Sequence, residues 1–178
     1  PYMAFNGSCV RPADFDNDGD LDLFVGSRSV PGAYGWSPDQ FLLENDGSGK
    51  FSDATDKRMY GLKDAGMVTD AVWMDYDNDK DPDLIVAGEW MKIWVFRNDE
   101  GYFVDVTDNA GLAMTSGWWY CLHAADIDLD GDMDIIGGNL GLNSILKASY
   151  ENPVEMYLND FDNNGSPDQI ICYSHDGA

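Results

Sequence analysis

Aspartates at every second position are the residues of this chain best placed to do chemistry. Asp14, Asp16, Asp18, Asp20 and Asp22 alternate through one short stretch, with Gly19 between two of them. The spacing recurs at Asp75, Asp77, Asp79, Asp81 and Asp83, and again at Asp126, Asp128, Asp130, Asp132 and Asp134. A fourth copy reads Asp160, Asp162, Asn164, Ser166 and Asp168. Alternating carboxylates in a tight loop converge on one centre. A hard cation such as Ca²⁺ wants six to eight oxygens at about 2.3–2.6 Å, which such a loop supplies. Loop positions 1, 3, 5 and 9 are expected to give side-chain oxygens. Position 7 (Asp20, Asp81, Asp132 or Ser166) is expected to give its backbone carbonyl, and a glycine at position 6 lets the chain turn. In the second loop Lys80 stands at position 6 and must accept a backbone angle unfavourable to L-residues.

Like charges this close repel strongly without a cation, so metal binding is expected to stabilise the fold. The first three loops offer four side-chain carboxylates each and the fourth three, which predicts weaker binding there. Up to four Ca²⁺ ions would move the formal charge from −23 to −15, since −23 + 8 = −15. Mg²⁺ would fit one such loop but keeps several waters of its own. The loops are not EF-hands: position 12 is Val25, Val86, Gly137 or Ile171 instead of Glu, and the flanks are β-rich. The Gly-rich nonapeptide repeat that binds Ca²⁺ in β-helices is also absent.

Elements of a particular kind must hold these loops. An apolar run follows each one, Leu23-Phe24-Val25, Leu84-Ile85-Val86, Ile135-Ile136 and Ile170-Ile171, and reads as a short buried strand. Between the loops, Phe41 to Thr55 is similar to Trp94 to Thr107: an apolar strand, an Asn-Asp turn, then an aromatic strand, which is a hairpin pattern. One repeat is thus strand, Asp loop, strand, hairpin. Four-stranded units repeated along a chain predict an all-β propeller, with about three blades in residues 1–178 as a single segment of a larger ring. The third repeat lacks the hairpin, and 139–153 reads as an irregular connection.

Composition narrows the partners. With 33 Asp+Glu against 10 Lys+Arg, the surface repels phosphate, which makes nucleic acid and anionic lipid poor candidate partners. No apolar run is long enough for a membrane span. Pro1 in place of Met, with no signal peptide, reads as a mature or trimmed piece of something longer. Cys9, Cys121 and Cys172 are odd in number and widely spaced, so they read as buried free thiols instead of a disulfide framework or zinc site.

The Asp loops, each leading into a strand, resemble the FG-GAP/VCBS repeats of integrin α-subunit propellers and of many bacterial secreted proteins. The resemblance covers nearly the whole chain. It is nearest to the bacterial group similar to cartilage acidic protein and associated with an ASPIC/UnbV module, although that module is not recognisable here. A Gly-Ala-Pro triplet is missing, which favours the VCBS form. The resemblance implies calcium in each blade, an extracellular, periplasmic or cell-surface location, and a role in adhesion or ligand binding.

Other candidates are weaker. No phosphate-binding glycine loop occurs. His123 and His175 have no readable triad around them. Counting back from each loop, Cys9, Asp70, Cys121 and Glu155, with Arg11, Val72, His123 and Tyr157, share one strand face. They read as a polar channel lining or a ligand patch. Trp118-Trp119-Tyr120 could form a stacking platform for sugars, or could fill space between blades. The resulting expectation is a non-enzymatic calcium-binding module for a protein or carbohydrate ligand, able to self-associate to complete a ring. The alternative is the propeller scaffold of a polysaccharide lyase, in which His123 or a Tyr moves the proton.

Overall fold

The computed structural model describes residues 3–141 and 143–174; His175 lies outside them. The chain is nearly all β. The first blade contains β1 (Asn6–Ala13), β2 (Asp22–Ser29), β3 (Phe41–Asn45) and β4 (Phe51–Asp53), hydrogen-bonded in that order. The second blade repeats this with β5 (Met67–Met74), β6 (Asp83–Met91), β7 (Trp94–Asp99) and β8 (Tyr102–Asp105). Two further units are built on antiparallel pairs, β9 (Gly117–Ala125) with β10 (Asp134–Asn139) and β11 (Glu155–Asn159) with β12 (Asp168–Cys172), and the start of β9 also pairs with the end of β6, joining the third unit to the second blade's sheet. The twelve strands among the described residues are the equivalent of three four-stranded blades, but they are distributed as two full blades and two half blades. The sheets form no closed barrel. As expected, 139–153 supplies no hairpin among the described residues: none of those between Asn139 and Glu155 forms a strand.

The register shows why the four loops are alike. Each Asp loop joins the first two strands of its unit, and the last aspartate pairs across with the residue before the loop. The pairs are Ala13↔Asp22, Met74↔Asp83, Ala125↔Asp134 and Asn159↔Asp168. In both full blades a Thr latch closes the outer strand. Thr55 Oγ1 accepts from Leu42 N (2.9 Å) and donates to Asp53 (2.6 Å); Thr107 Oγ1 accepts from Val95 N (3.0 Å), and its own N–H donates to Asp105 (2.9 Å). The only α-helical turn among the described residues, α1 (Thr55–Arg58), follows the first latch.

The core lies between blades. Phe15, Phe24, Leu42 and Met59 of the first blade meet Val68, Leu84, Val86 and Phe96 of the second. Ile85, Ala87 and Val95 meet Leu122, with Trp119 and Ile135 at the margin. Burying each large side chain contributes about 1.5–3 kcal/mol. Beyond β10 no such layer forms among the described residues, and Ile136, Ile170 and Ile171 remain more than two-fifths exposed. The fourth unit still touches the first blade: Gln169 Nε2 donates to Tyr34 O (3.0 Å), and Gly35 lies against Met156 and Leu158.

Buried polar side chains lock neighbouring units together. Gln40, fully buried, accepts from Ser27 N (2.6 Å) and donates to Gly66 O (2.9 Å). Asp70 pairs with Arg11 of the first blade and accepts from Leu122 N of the third unit (2.9 Å). Arg11 Nε also donates to Ala71 O (2.7 Å). The polar strand face predicted from the sequence is therefore a seam between units at Arg11 and Asp70. His123 is exposed on β9, and Tyr157 donates to Glu155 (3.0 Å). The thiols are free, but only Cys9 is partly buried, packed against the core shared with the second blade; Cys121 and Cys172 are exposed.

Candidate metal centres

Each loop is wound around its own carboxylates in the same way. The position 1 aspartate accepts from the backbone N–H groups of positions 5 and 6. The contacts are Asp14 from Asp18 and Gly19, Asp75 from Asp79 and Lys80, Asp126 from Asp130 and Gly131, and Asp160 from Asn164 and Gly165, all at 2.9–3.2 Å. The position 5 side chain accepts from the N–H of position 7 in every loop, at 2.8–3.1 Å. The position 9 carboxylate accepts from the N–H of position 2: Asp22 from Phe15, Asp83 from Tyr76, Asp134 from Ile127 and Asp168 from Phe161.

Two left-handed residues bend each loop. At position 6, Gly19, Gly131 and Gly165 have φ of 97°, 102° and 87°, and Lys80 takes φ 82° in their place, as its position requires. Position 4 is also left-handed, at Asn17 (58°), Asn78 (63°), Leu129 (63°) and Asn163 (57°). The recurring Asn was a visible signal for this, since Asn tolerates that region better than other non-Gly residues.

The winding brings carboxylates together. One oxygen each from Asp14, Asp16 and Asp18 lies within 4.8 Å of the others, as do oxygens of Asp75, Asp77 and Asp83, of Asp126, Asp128 and Asp134, and of Asp160, Asp162 and Asp168. Asp79, Asp130 and Asn164 stand beside their groups, their side chains bonded to position 7. Of the position 7 residues, Asp81 uses its side chain to join loops, accepting from Asn17 Nδ2 (2.8 Å) and Glu100 N (3.1 Å). The fit to a cation is sharpest in the first loop. Asp16 Oδ1 and Asp20 Oδ1 are buried and have no hydrogen-bond partner, a costly state for a carboxylate oxygen unless a cation takes it. Burial, reinforced by the neighbouring Asp18, raises Asp16 above the usual carboxylate range. Burial likewise pushes Asp22 and Asp83 up to about 6, against two backbone N–H bonds each that pull the other way. A bound dication would reverse these shifts.

Several residues that sequence reasoning did not single out complete the first two centres. Asn45 N donates to Asp22 Oδ1 (2.8 Å) and Asn98 N to Asp83 Oδ1 (2.7 Å). The fully buried Asn98 side chain also donates to Phe15 O of the first loop (2.8 Å). Arg58, with 9% of its side chain exposed, bonds Asp16 Oδ2 (2.7 Å) and Glu44 (2.9 Å) and lies over the rings of Phe15 and Tyr102. Gly101, at φ 83°, is packed against both Arg58 and Asp16, and a Cβ there would fall 2.7 Å from Nη1 and 2.9 Å from Asp16 Cβ.

With this geometry in place, comparison with known families decides the assignment. The FG-GAP-like repeat profile matches residues 14–86 and 75–137. The chain belongs to the FG-GAP-like repeat family. Together the two matches cover 14–137, well over half of the 178 residues. They take in the first three Asp loops and single out no subgroup. No curated protein matches the chain. Four Asp clusters able to hold metal ions, on a propeller-like sheet arrangement, fit a calcium-binding FG-GAP module. No helix among the described residues is long and apolar enough to cross a membrane.

Proposed function

We propose that this chain is a calcium-stapled binding module, one propeller segment of an extracellular or cell-surface protein, and that its calcium is structural. The observation that carries the reading is the pair of buried, unpartnered oxygens of Asp16 and Asp20 inside a loop repeated four times. The ligands are the side chains of positions 1, 3, 5 and 9 and the backbone of position 7 in each loop, joined in the first loop by the Asp20 side chain. Ca²⁺ is favoured over Mg²⁺ because an all-protein cage of many carboxylate oxygens suits the larger ion. Bound metal acts on folding by mass action, and the rigid loops leave the opposite ends of the strands free for recognition. An adhesion or ligand-binding role accords with the extracellular settings typical of FG-GAP repeats. The test is a thermal melt of calcium-loaded protein with and without EGTA. The reading predicts a Tm lower by at least several degrees in chelator, and identical melts would refute it.

A further inference from the structure

The structure separates the Trp118-Trp119-Tyr120 run. Trp119 turns inward, its indole N–H donating to Thr115 O (2.8 Å) and its ring covering Gly137. Trp118 instead meets Trp90 edge to face, with centroids 5.0 Å apart and planes at 75°. Trp90 follows Glu89, which pairs with Trp118 across β6 and β9. This pair lies at the end of the strands remote from the Asp loops, since β6 begins at Asp83 and ends at Met91.

Trp90 is held in an unfavourable backbone conformation, left-handed at φ 60°. Bulky residues avoid this region, and strain of this kind gathers at functional sites. The surroundings fix its ring. Trp90 Nε1 donates to Tyr34 OH (3.2 Å), which donates to the buried Glu89 (2.9 Å), whose other oxygen is held by Arg28 (2.6 Å). That chain of bonds spends a buried carboxylate and an arginine on orienting one indole.

A groove of about 790 Å³ opens at Trp90 and Trp118 and runs past Ser116 and Asn139 to Tyr150. None of the sixteen lining residues among those described is charged. In a chain where 24% of residues are charged, about four would be expected by composition. The lining sets aromatic faces and hydroxyl and amide groups among seven aliphatic side chains. Aromatic rings accept the C–H faces of a pyranose, while Ser and Asn serve its hydroxyls. The uncharged lining favours a neutral ligand over a uronate, sulfate or phosphate.

We infer that this groove is a binding site for a neutral oligosaccharide, with Trp90 and Trp118 as its aromatic walls. The inference rests on the reading of the chain as a binding module and supplies that module's ligand class. The test is isothermal titration of the calcium-loaded chain with cellohexaose, mannohexaose, xylohexaose and laminarihexaose, alongside an oligogalacturonate and an apolar peptide. At least one neutral oligosaccharide should bind, with little dependence on salt, and the oligogalacturonate and peptide should not. Trp90→Gly should weaken that binding roughly tenfold or more, the loss expected for an aromatic anchor. Its Tm should fall by only a few degrees, because relief of the left-handed backbone offsets much of the lost contact with Trp118 and Tyr34. Tyr60→Ala, which removes a ring 99% exposed elsewhere, should change nothing. Binding by none of the neutral sugars, preference for the uronate or the peptide, or full binding by the Trp90→Gly protein would each overturn the inference. Adding EGTA to each melt separates the two claims. A chelator-insensitive Tm with sugar still bound would sink the calcium reading alone.

Discussion

The loops of the two full blades and those of the two half blades share one winding but differ in their surroundings. Asp22 and Asp83 are 1% and 0% exposed, and each accepts two backbone N–H bonds, one from its own loop and one from Asn45 or Asn98. Asp134 and Asp168 are only partly buried and accept one each, from Ile127 and Phe161. The missing donor belongs to the third strand, which the half blades lack. A metal loop is therefore completed from outside itself: the hairpin that follows supplies an N–H, excludes water and, in the first blade, brings Arg58 to Asp16.

The largest effect expected from this contrast is on the buried carboxylates. Asp83→Ala strands the N–H groups of Tyr76 and Asn98 in the core, at about 1–3 kcal/mol each. A total of about 3 kcal/mol corresponds to a Tm lower by roughly 6–12 °C in a chain of this size. Asp168→Ala, on the exposed loop, should cost about 1 kcal/mol or less in metal-free protein. Differential scanning calorimetry of both variants compares them directly, and equal losses would erase the distinction between full and half blades.

An intermediate effect is expected from pH. The folded Asp22 and Asp83 carboxyls titrate near 6 because burial raises them above the ordinary value of 3.8. Their contribution to stability in metal-free protein is complete below about pH 4 and is lost as pH rises through about 6. Metal-free protein should therefore gain Tm between about pH 7 and pH 5 from these groups. Calcium-loaded protein should lose Tm over the same range, because binding requires deprotonated ligands. Melts at both pH values, with and without calcium, read the two slopes, and slopes of one sign would break the account.

The smallest effects concern backbone strain. Lys80→Gly and Leu129→Gly place glycine at left-handed positions of the second and third loops. Each should stabilise by about 1 kcal/mol, or roughly 2–4 °C in Tm. A loss of stability in either would show that the side chain, not the angle, sets the cost.

Much of this was legible in the sequence because it is local. Alternating aspartates, the glycine at position 6 and the apolar runs fix loop and strand within ten residues, and the angle imposed on Lys80 followed from its place alone. What stayed hidden depends on distant partners. Asn98 reads as a turn residue until its side chain is found on Phe15, and nothing local to Gln40 marks it as reaching Gly66. Arg58 gave no sign of reaching Asp16. The tryptophan run was visible as a cluster, but strand alternation splits it between the core and the groove. The third unit's missing hairpin was legible, but its consequence, two full blades and two half blades in place of about three blades, was not.

Calcium stoichiometry tests the central claim most directly. Titration of metal-free protein should saturate at four Ca²⁺ per chain, one for each Asp cluster, with the three-carboxylate loop at Asp160 the weakest. The double variant Asp126→Asn/Asp160→Asn should saturate at two. A protein that takes up no calcium, or a double variant that still binds four, would contradict the account.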